Sequence, residues 1–88
     1  MRVEFKKSFL KELQKLRNKG LKNSIAECIE QVESAKSINQ IRNVKKLAGF
    51  DDFYRIRIGD YRIGVKIEED TVYFVVFEHR KDIYKKFP

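Results

Sequence analysis

The chain has 88 residues, so we expect a single domain spanning residues 1–88, with a modest core and its chemistry on an open face rather than in a large buried cavity. A formal net charge of +7 and a pI near 9.6 favour an anionic partner, which is a nucleic acid, an acidic protein or a membrane surface. An apolar content of 42% with seven Phe and four Tyr excludes a disordered chain.

The small number of cysteine and histidine side chains limits the disulfides and metal sites that the chain can form. Cys28 is the only cysteine, which excludes an internal disulfide and a cysteine-based metal site, and we expect it to fill space on the apolar side of a helix. His79 is the only histidine, so no zinc site is expected. No apolar run approaches the roughly 20 residues of a membrane span, and none resembles a signal peptide, which favours a cytoplasmic protein without a membrane partner.

The first half of the chain has the pattern of one strand followed by a helical hairpin. Alternation over Arg2–Phe5 predicts a short strand. Helical spacing then predicts a first helix through Phe9, Leu10, Leu13 and Leu16, and a second through Leu21, Ile25, Cys28, Ile29 and Val32. Gly20 suits the left-handed position after the end of the first helix. Residues 34–43 are predicted to form an irregular connection.

The second half changes to a period of two, which predicts antiparallel strands. Two of these strands flank Gly59-Asp60, whose residue types favour a two-residue hairpin turn, and a third strand covers Thr71–Phe77 after a solvated loop at residues 68–70. The predicted fold class is therefore α+β: an N-terminal strand, a two-helix hairpin, an antiparallel β-meander with the helices on one face, and a short C-terminal helical tail.

The predicted hairpin places arginines together on the face opposite the core. If Gly59-Asp60 is the turn, Arg57 lies across from Arg62 and Arg55 faces Gly64. Like charges directly opposite each other destabilise a sheet unless an anion lies between them, and arginine binds phosphate in a bidentate manner. A phosphate-binding face is one interpretation, and a solvated face is the other.

Aromatic and titratable side chains extend this candidate site. Tyr73 and Phe77 are candidates for stacking on the arginine face, or for contacts with the rest of the fold. The charged segment after the third strand contains His79, Arg80 and Tyr84, each capable of hydrogen bonding. A basic terminal helix without catalytic function has the same composition.

Three segments together resemble the RelE/ParE toxin superfamily of type II toxin-antitoxin systems. They are Lys-Leu-Ala-Gly at 46–49, Tyr-Arg-Ile-Arg-Ile-Gly-Asp-Tyr-Arg-Ile at 54–63, and His-Arg-Lys-Asp-Ile-Tyr at 79–84. The resemblance covers nearly the whole chain, since the first strand and the helical hairpin match the layout of the family. It implies a RelE-like toxin fold.

For RelE-type members the resemblance implies cleavage of translated messenger RNA in the ribosomal decoding site, without a metal or cofactor. The residues carried over as catalytic are Arg57, Arg62, Arg80, Tyr84 and His79. The residues expected to bind RNA are Arg55, Lys66, Lys81 and Lys85. A ribose 2′-hydroxyl would attack the adjacent phosphate, with Arg57 and Arg62 holding the phosphate and Arg80 assisting the leaving oxygen.

The resemblance does not identify the general base of this mechanism. Members of the family often have lysine where this chain has Arg55 and Arg57, and arginine, with a pKa above about 12, is a poor base at neutral pH. His79 is the better chemical candidate, because histidine titrates near about pH 6.5.

Partners and alternatives follow from the same resemblance. It implies a cognate antitoxin that blocks the basic face, with messenger RNA and ribosomal RNA as targets and operator DNA bound only by the toxin-antitoxin complex. ParE-type relatives inhibit DNA gyrase instead, and a non-catalytic binding module is a third possibility; Arg80 together with Tyr84 favours the RNA-cleaving branch.

Overall fold

A computed structural model describes all residues, 1–88, and contains five strands and three α-helices. In chain order they are β1 (Arg2–Phe5), α1 (Lys7–Lys15), α2 (Lys19–Ser34), β2 (Val44–Lys46), β3 (Phe53–Ile58), β4 (Tyr61–Glu68), β5 (Thr71–His79) and α3 (Ile83–Lys86). A single 3-10 turn, Ile38–Gln40, lies in the connection between α2 and β2. The predicted α+β class and its order of elements are confirmed.

The strands form one sheet with the order β1-β5-β4-β3-β2. The meander β3-β4-β5 is antiparallel as predicted, and Gly59 supplies the positive φ of 56° that the β3-β4 turn requires. β1 adds an outer strand parallel to β5, with Val3 beside Val72. β2 adds the other outer strand, antiparallel to β3. The sequence predicted β1 as a strand without its pairing to β5, and it did not predict β2.

One face of the sheet, which we call the helix face, packs against α1 and α2. Ile56, Ile63 and Val65 lie there with Phe9 and Phe74, each 1% exposed or less. The rings of Phe9 and Phe74 are 5.4 Å apart in a tilted arrangement. Burial of each such side chain stabilises the fold by about 1.5–3 kcal/mol, so the core lies between the sheet and the helical hairpin.

The boundary between the two helices differs from the prediction. α1 ends at Lys15, and Gly20 lies in the first turn of α2 rather than in a left-handed position after α1. Asn18 is the N-cap of α2, and its side-chain oxygen accepts a hydrogen bond from the Leu21 backbone N–H at 3.0 Å. Capping by asparagine therefore begins the second helix where glycine was expected to end the first.

A β-bulge in β5 changes which side chains share a face. Val65 pairs with Phe74, whereas Gly64 pairs with Val76, so Val75 is the extra residue. The Ser8 hydroxyl of α1 donates a hydrogen bond to the Val75 carbonyl. The expectation that Phe77 stacks on the arginine face is consequently wrong: its register position is on the helix face, where it is buried.

Cys28 lies half-buried on α2, on the apolar side as expected. Burial raises the pKa of its thiol to about 11, which leaves it protonated and poorly nucleophilic at neutral pH. None of the helices has the length and apolar character needed to cross a membrane.

Candidate nucleic-acid interface

The face of the sheet opposite the helices carries two rows of basic residues, and we call it the arginine face. Arg57 pairs with Arg62, and Arg62 in turn pairs with Glu78 of β5. In the next row Arg55 lies between Lys45 and Gly64. The predicted pairing of the arginines is confirmed, because the Gly59-Asp60 turn sets the register of β3 and β4.

Arg62 is held at the hairpin end of this face by main-chain carbonyls. Its Nη1 donates hydrogen bonds to the carbonyl oxygens of Gly59 at 2.9 Å and Tyr61 at 2.8 Å. Arg57 is exposed beside it, and none of its side-chain nitrogens forms an ion pair in the structure. The two positive charges are therefore uncompensated by a carboxylate of the hairpin itself.

Arg80 reaches the same hairpin from the end of β5. Its backbone N–H donates to the Asp60 carbonyl oxygen at 2.8 Å, and its Nε lies 4.0 Å from Asp60 Oδ1. Both side chains of this pair are largely exposed, so the ion pair is weak and the guanidinium remains accessible to another anion. Three predicted catalytic arginines thus meet at one turn: Arg57, Arg62 and Arg80.

The C-terminal tail covers the middle of the arginine face, which sequence reasoning did not foresee. Val76, Ile83 and Phe87 form a small second core on this side of the sheet, with Phe53 packed against it. The rings of Phe53 and Phe87 meet edge to face at a centroid distance of 5.3 Å. This contact fixes the short helix α3 on the sheet.

The tail brings Tyr84 onto Arg55. The guanidinium carbon of Arg55 lies 4.5 Å from the centre of the Tyr84 ring, a cation-π contact. Beneath the ring, Nε of Arg55 is buried without a hydrogen-bond partner. Tyr84 itself is 72% exposed, so one side of the ring holds Arg55 while much of the side chain faces solvent.

His79 is separated from the arginine face. It pairs with Tyr61 in the β4-β5 register, one position beyond Glu78, and therefore lies on the helix face. Its ring contacts that of Tyr61 at 5.3 Å, and its Nδ1 accepts a hydrogen bond from the Lys81 backbone N–H. The candidate base is thus not beside the arginines that would bind phosphate.

The predicted RNA-binding lysines occupy different surroundings. Lys66 lies on the arginine face, where its Nζ is 3.2 Å from Glu68 and 5.8 Å from the centre of the Phe53 ring. Lys81 and Lys85 are exposed on the tail. Tyr73 also lies on the arginine face, across from Lys66, with Lys6 Nζ 5.1 Å from its ring centre.

Two charged residues of the site were not predicted. Lys45 lies across from Arg55, but the three-residue strand β2 that places it there gave too little alternation to recognise. Glu78 lies across from Arg62, and its carboxylate is 3.0 Å from Lys86 Nζ. Only the length of β5 beyond Phe77 could have signalled that Glu78 belongs to the sheet.

This arrangement can bind a phosphate and stack a base. Arginine guanidinium groups at the hairpin offer several N–H donors to phosphate oxygens, and an exposed tyrosine ring beside them can contact a nucleobase. No buried charged residue accompanies them, so the site is a surface and not a pocket. Its chemistry fits a single-stranded nucleic acid that lies across the strands.

Sequence and structure comparisons agree on the relatives of the chain. Residues 3–84 match the family described as ParE toxin of type II toxin-antitoxin system, parDE. The chain is 38% identical to Toxin RelE3 of Methanocaldococcus jannaschii over 100% of both proteins.

Several solved structures with the same fold come from antitoxin-toxin complexes. One chain of the RelB-RelE complex from Methanococcus jannaschii superposes with a TM-score of 0.78 and 36% identity, covering 96% of this chain and 98% of that chain. A chain of the archaeal RelE-RelB complex from Pyrococcus horikoshii OT3 gives a TM-score of 0.73 at 28% identity, covering 90% and 93%. The similarity thus extends over the hairpin, the arginine face and most of the tail.

Proposed function

Because the chain belongs to the RelE/ParE toxin family of type II toxin-antitoxin systems, we propose that it is a RelE-type toxin that cleaves messenger RNA on the ribosome. The observation that carries this proposal is the meeting of Arg57, Arg62 and Arg80 at one hairpin, with Tyr84 on the same face. The similarity to a RelE toxin over the full length of the chain supports the RNA-cleaving branch.

In the proposed reaction the arginines stabilise charge while the RNA supplies its own nucleophile. The ribose 2′-hydroxyl loses its proton to solvent water as its oxygen attacks phosphorus, the bond to the 5′ oxygen breaks, and that oxygen gains a proton from solvent. Arg57 and Arg62 bind the phosphate oxygens, on which negative charge accumulates. Arg80 stabilises the leaving oxygen, and Tyr84 stacks on a base next to the cleaved bond. The reaction requires no metal or cofactor.

A direct catalytic role is less well supported for His79 than for the arginines. Its contact with Tyr61 on the helix face argues against direct abstraction of the 2′-hydroxyl proton by its imidazole. We therefore expect a His79→Gln variant to retain cleavage. Loss of cleavage in that variant, together with loss of the acidic limb of the pH–rate profile, would instead return histidine to the mechanism.

A RelE-type toxin requires an antitoxin that neutralises it. The solved relatives from both archaea are complexes with RelB, and we propose that a cognate antitoxin covers the arginine face of this chain. An extended acidic segment would complement the net charge of +7. The proposal places the protein in the cytoplasm with translating ribosomes, and operator DNA is bound only by the toxin-antitoxin complex.

Gyrase inhibition is the second candidate, because the matching family is described by its ParE members. The two activities have different products. A nuclease creates new RNA ends, a gyrase inhibitor leaves RNA intact and blocks DNA supercoiling, and a binding module protects RNA in a stoichiometric manner.

The test maps RNA 5′ ends on a defined message in a reconstituted translation reaction, with the same RNA free of ribosomes as the control. The proposal predicts new ends that appear only when ribosomes are present. Intact message together with inhibited supercoiling would establish the gyrase activity instead. Intact message together with unaffected gyrase would favour a non-catalytic binding module.

A further inference from the structure

We propose that Phe87 and Lys86 are positioning residues, which lock the C-terminal tail onto the arginine face and thereby place Tyr84 for the reaction. The inference rests on the proposed RNA cleavage, because it assigns the lock to the orientation of that site. It concerns residues of the tail that lie beyond the HRKDIY segment of the sequence.

The first part of the lock is a fit between Phe87 and Gly64. Phe87 is 2% exposed, and a Cβ atom at position 64 would lie only 2.6–2.8 Å from three atoms of its ring. Any side chain at position 64 would therefore displace the ring. The backbone at position 64 does not require glycine, because Gly49 and Gly59 are the only glycines with a positive φ. The space left above the strand accounts for glycine in the middle of β4.

The second part is the ion pair between Lys86 and Glu78. Lys86 Nζ lies 3.0 Å from Glu78 Oε2, and the Glu78 side chain is only 13% exposed. The hydrogen bond to Glu78 raises the pKa of Lys86. Glu78 also lies directly across from Arg62. The pair thus ties the last turn of α3 to the row of the sheet that holds the proposed phosphate site.

Both parts hold the short helix that carries Tyr84. Ile83 and Phe87 are buried on the sheet, whereas Tyr84 on the same short helix projects over Arg55. A helix of four residues has almost no stability of its own, so its position depends on these contacts. Without either one, Tyr84 and Arg55 would have no fixed separation.

The test uses two sets of variants, one that changes side-chain size and one that changes charge. Each variant is measured by NMR and by single-turnover cleavage. Gly64→Ala is compared with Phe87→Ala and with the double variant. Lys86→Met, an exposed change that spares the core, is compared with Lys86→Arg. Lys36→Met controls for the removal of one exposed positive charge away from the face. The NMR readout is the ring-current shift that Tyr84 imposes on the Arg55 side chain, which requires no RNA.

We expect Gly64→Ala and Lys86→Met to remove the Arg55 shift and to lower the cleavage rate at saturating ribosomes by up to about 100-fold, with a much smaller change in KM. Gly64→Ala should have no added effect once Phe87 is alanine, and Lys86→Arg should keep both readouts close to those of the wild type. An unchanged Arg55 shift in Gly64→Ala and Lys86→Met would overturn the lock. Disappearance of the shift with unchanged cleavage would overturn its positioning role. Absence of cleavage by the wild type alone, with the shift cycle intact, would overturn the proposed function and leave the lock as a structural feature.

Discussion

The two faces of the sheet differ in how completely they are covered. On the helix face, aliphatic and aromatic side chains such as Ile63 and Phe74 are closed off by α1 and α2. On the arginine face, cover is limited to a second core in which Ile83 and Phe87 of the tail pack on Val76 of β5, and the arginines around it remain accessible. Adjacent residues of one strand therefore have different surroundings: Ile63 is buried in the core, and Arg62 lies on the face proposed to bind an anion.

This difference explains why a chain of only 88 residues can offer a site at all. A small domain has too little core to enclose a deep cavity. Placing one face of the sheet against the helices leaves the other face for function, where repulsion between Arg57 and Arg62 is tolerated. The contrast between the faces leads to predictions that separate stability from activity.

The largest effect on stability is expected from the helix face. Phe74→Ala should lower the free energy of unfolding by about 3–5 kcal/mol, because the ring is fully buried among Phe5 and Phe9. Tyr84→Ala on the arginine face should lower it by only about 1 kcal/mol, the value of an exposed cation-π contact. Urea unfolding of both variants measures the contrast, and equal losses would contradict it.

The largest effect on activity is expected from the other face. Arg80→Ala should reduce ribosome-dependent cleavage by about 100-fold or more, the loss typical of one donor to a charged transition state. Its ion pair with Asp60 is exposed, so the free energy of unfolding should change by less than about 0.5 kcal/mol. Arg17→Ala removes an exposed arginine between the helices and serves as the matched control. Equal cleavage by the two variants would remove Arg80 from the site.

Weaker and additive effects are expected from the exposed lysines of the tail. Lys81→Ala and Lys85→Ala should each weaken binding of single-stranded RNA, and each should lower the salt dependence of log K by about 0.7 for every phosphate that the lysine neutralises. Binding titrations at several salt concentrations provide the slopes. Slopes identical to that of the wild type would place both lysines outside the RNA path.

The smallest effect is a gain of stability. Arg57→Gln should raise the free energy of unfolding by about 0.2–0.5 kcal/mol at low salt, because it removes the like charge across from Arg62. The gain should disappear in an Arg62→Gln background and shrink at high salt. A destabilisation of similar size in both backgrounds would mean that Arg57 contributes packing rather than repulsion.

Local sequence signals predicted most of the fold and the pairing of the two hairpin arginines. The turn residues Gly59-Asp60 set the register, so the pairing of Arg57 with Arg62 followed from the sequence. Helical spacing located α1 and α2 because their apolar stripes face one sheet. Such features depend on residues close together in the chain, which is why they could be predicted.

Features that depend on distant contacts could not be predicted. The bulge at Val75 lies within an unbroken apolar run, so alternation assigned Phe77 to the wrong face. The parallel pairing of β1 with β5 joins opposite ends of the chain. The position of the tail over the arginine face depends on the packing of Phe87 against Gly64, which are distant in the sequence. The separation of His79 from the arginines follows from the same bulge and strand register.

The most direct test of the division between the faces uses two neighbouring residues of β4. Ile63→Ala and Arg62→Ala are compared by urea unfolding and by single-turnover cleavage of ribosome-bound message at a temperature where both are folded. The account predicts that Ile63→Ala loses about 2–5 kcal/mol of stability and retains the cleavage rate, whereas Arg62→Ala retains stability within about 1 kcal/mol and loses cleavage by about 100-fold. Full cleavage by a folded Arg62→Ala protein would contradict the assignment of the arginine face as the reactive surface.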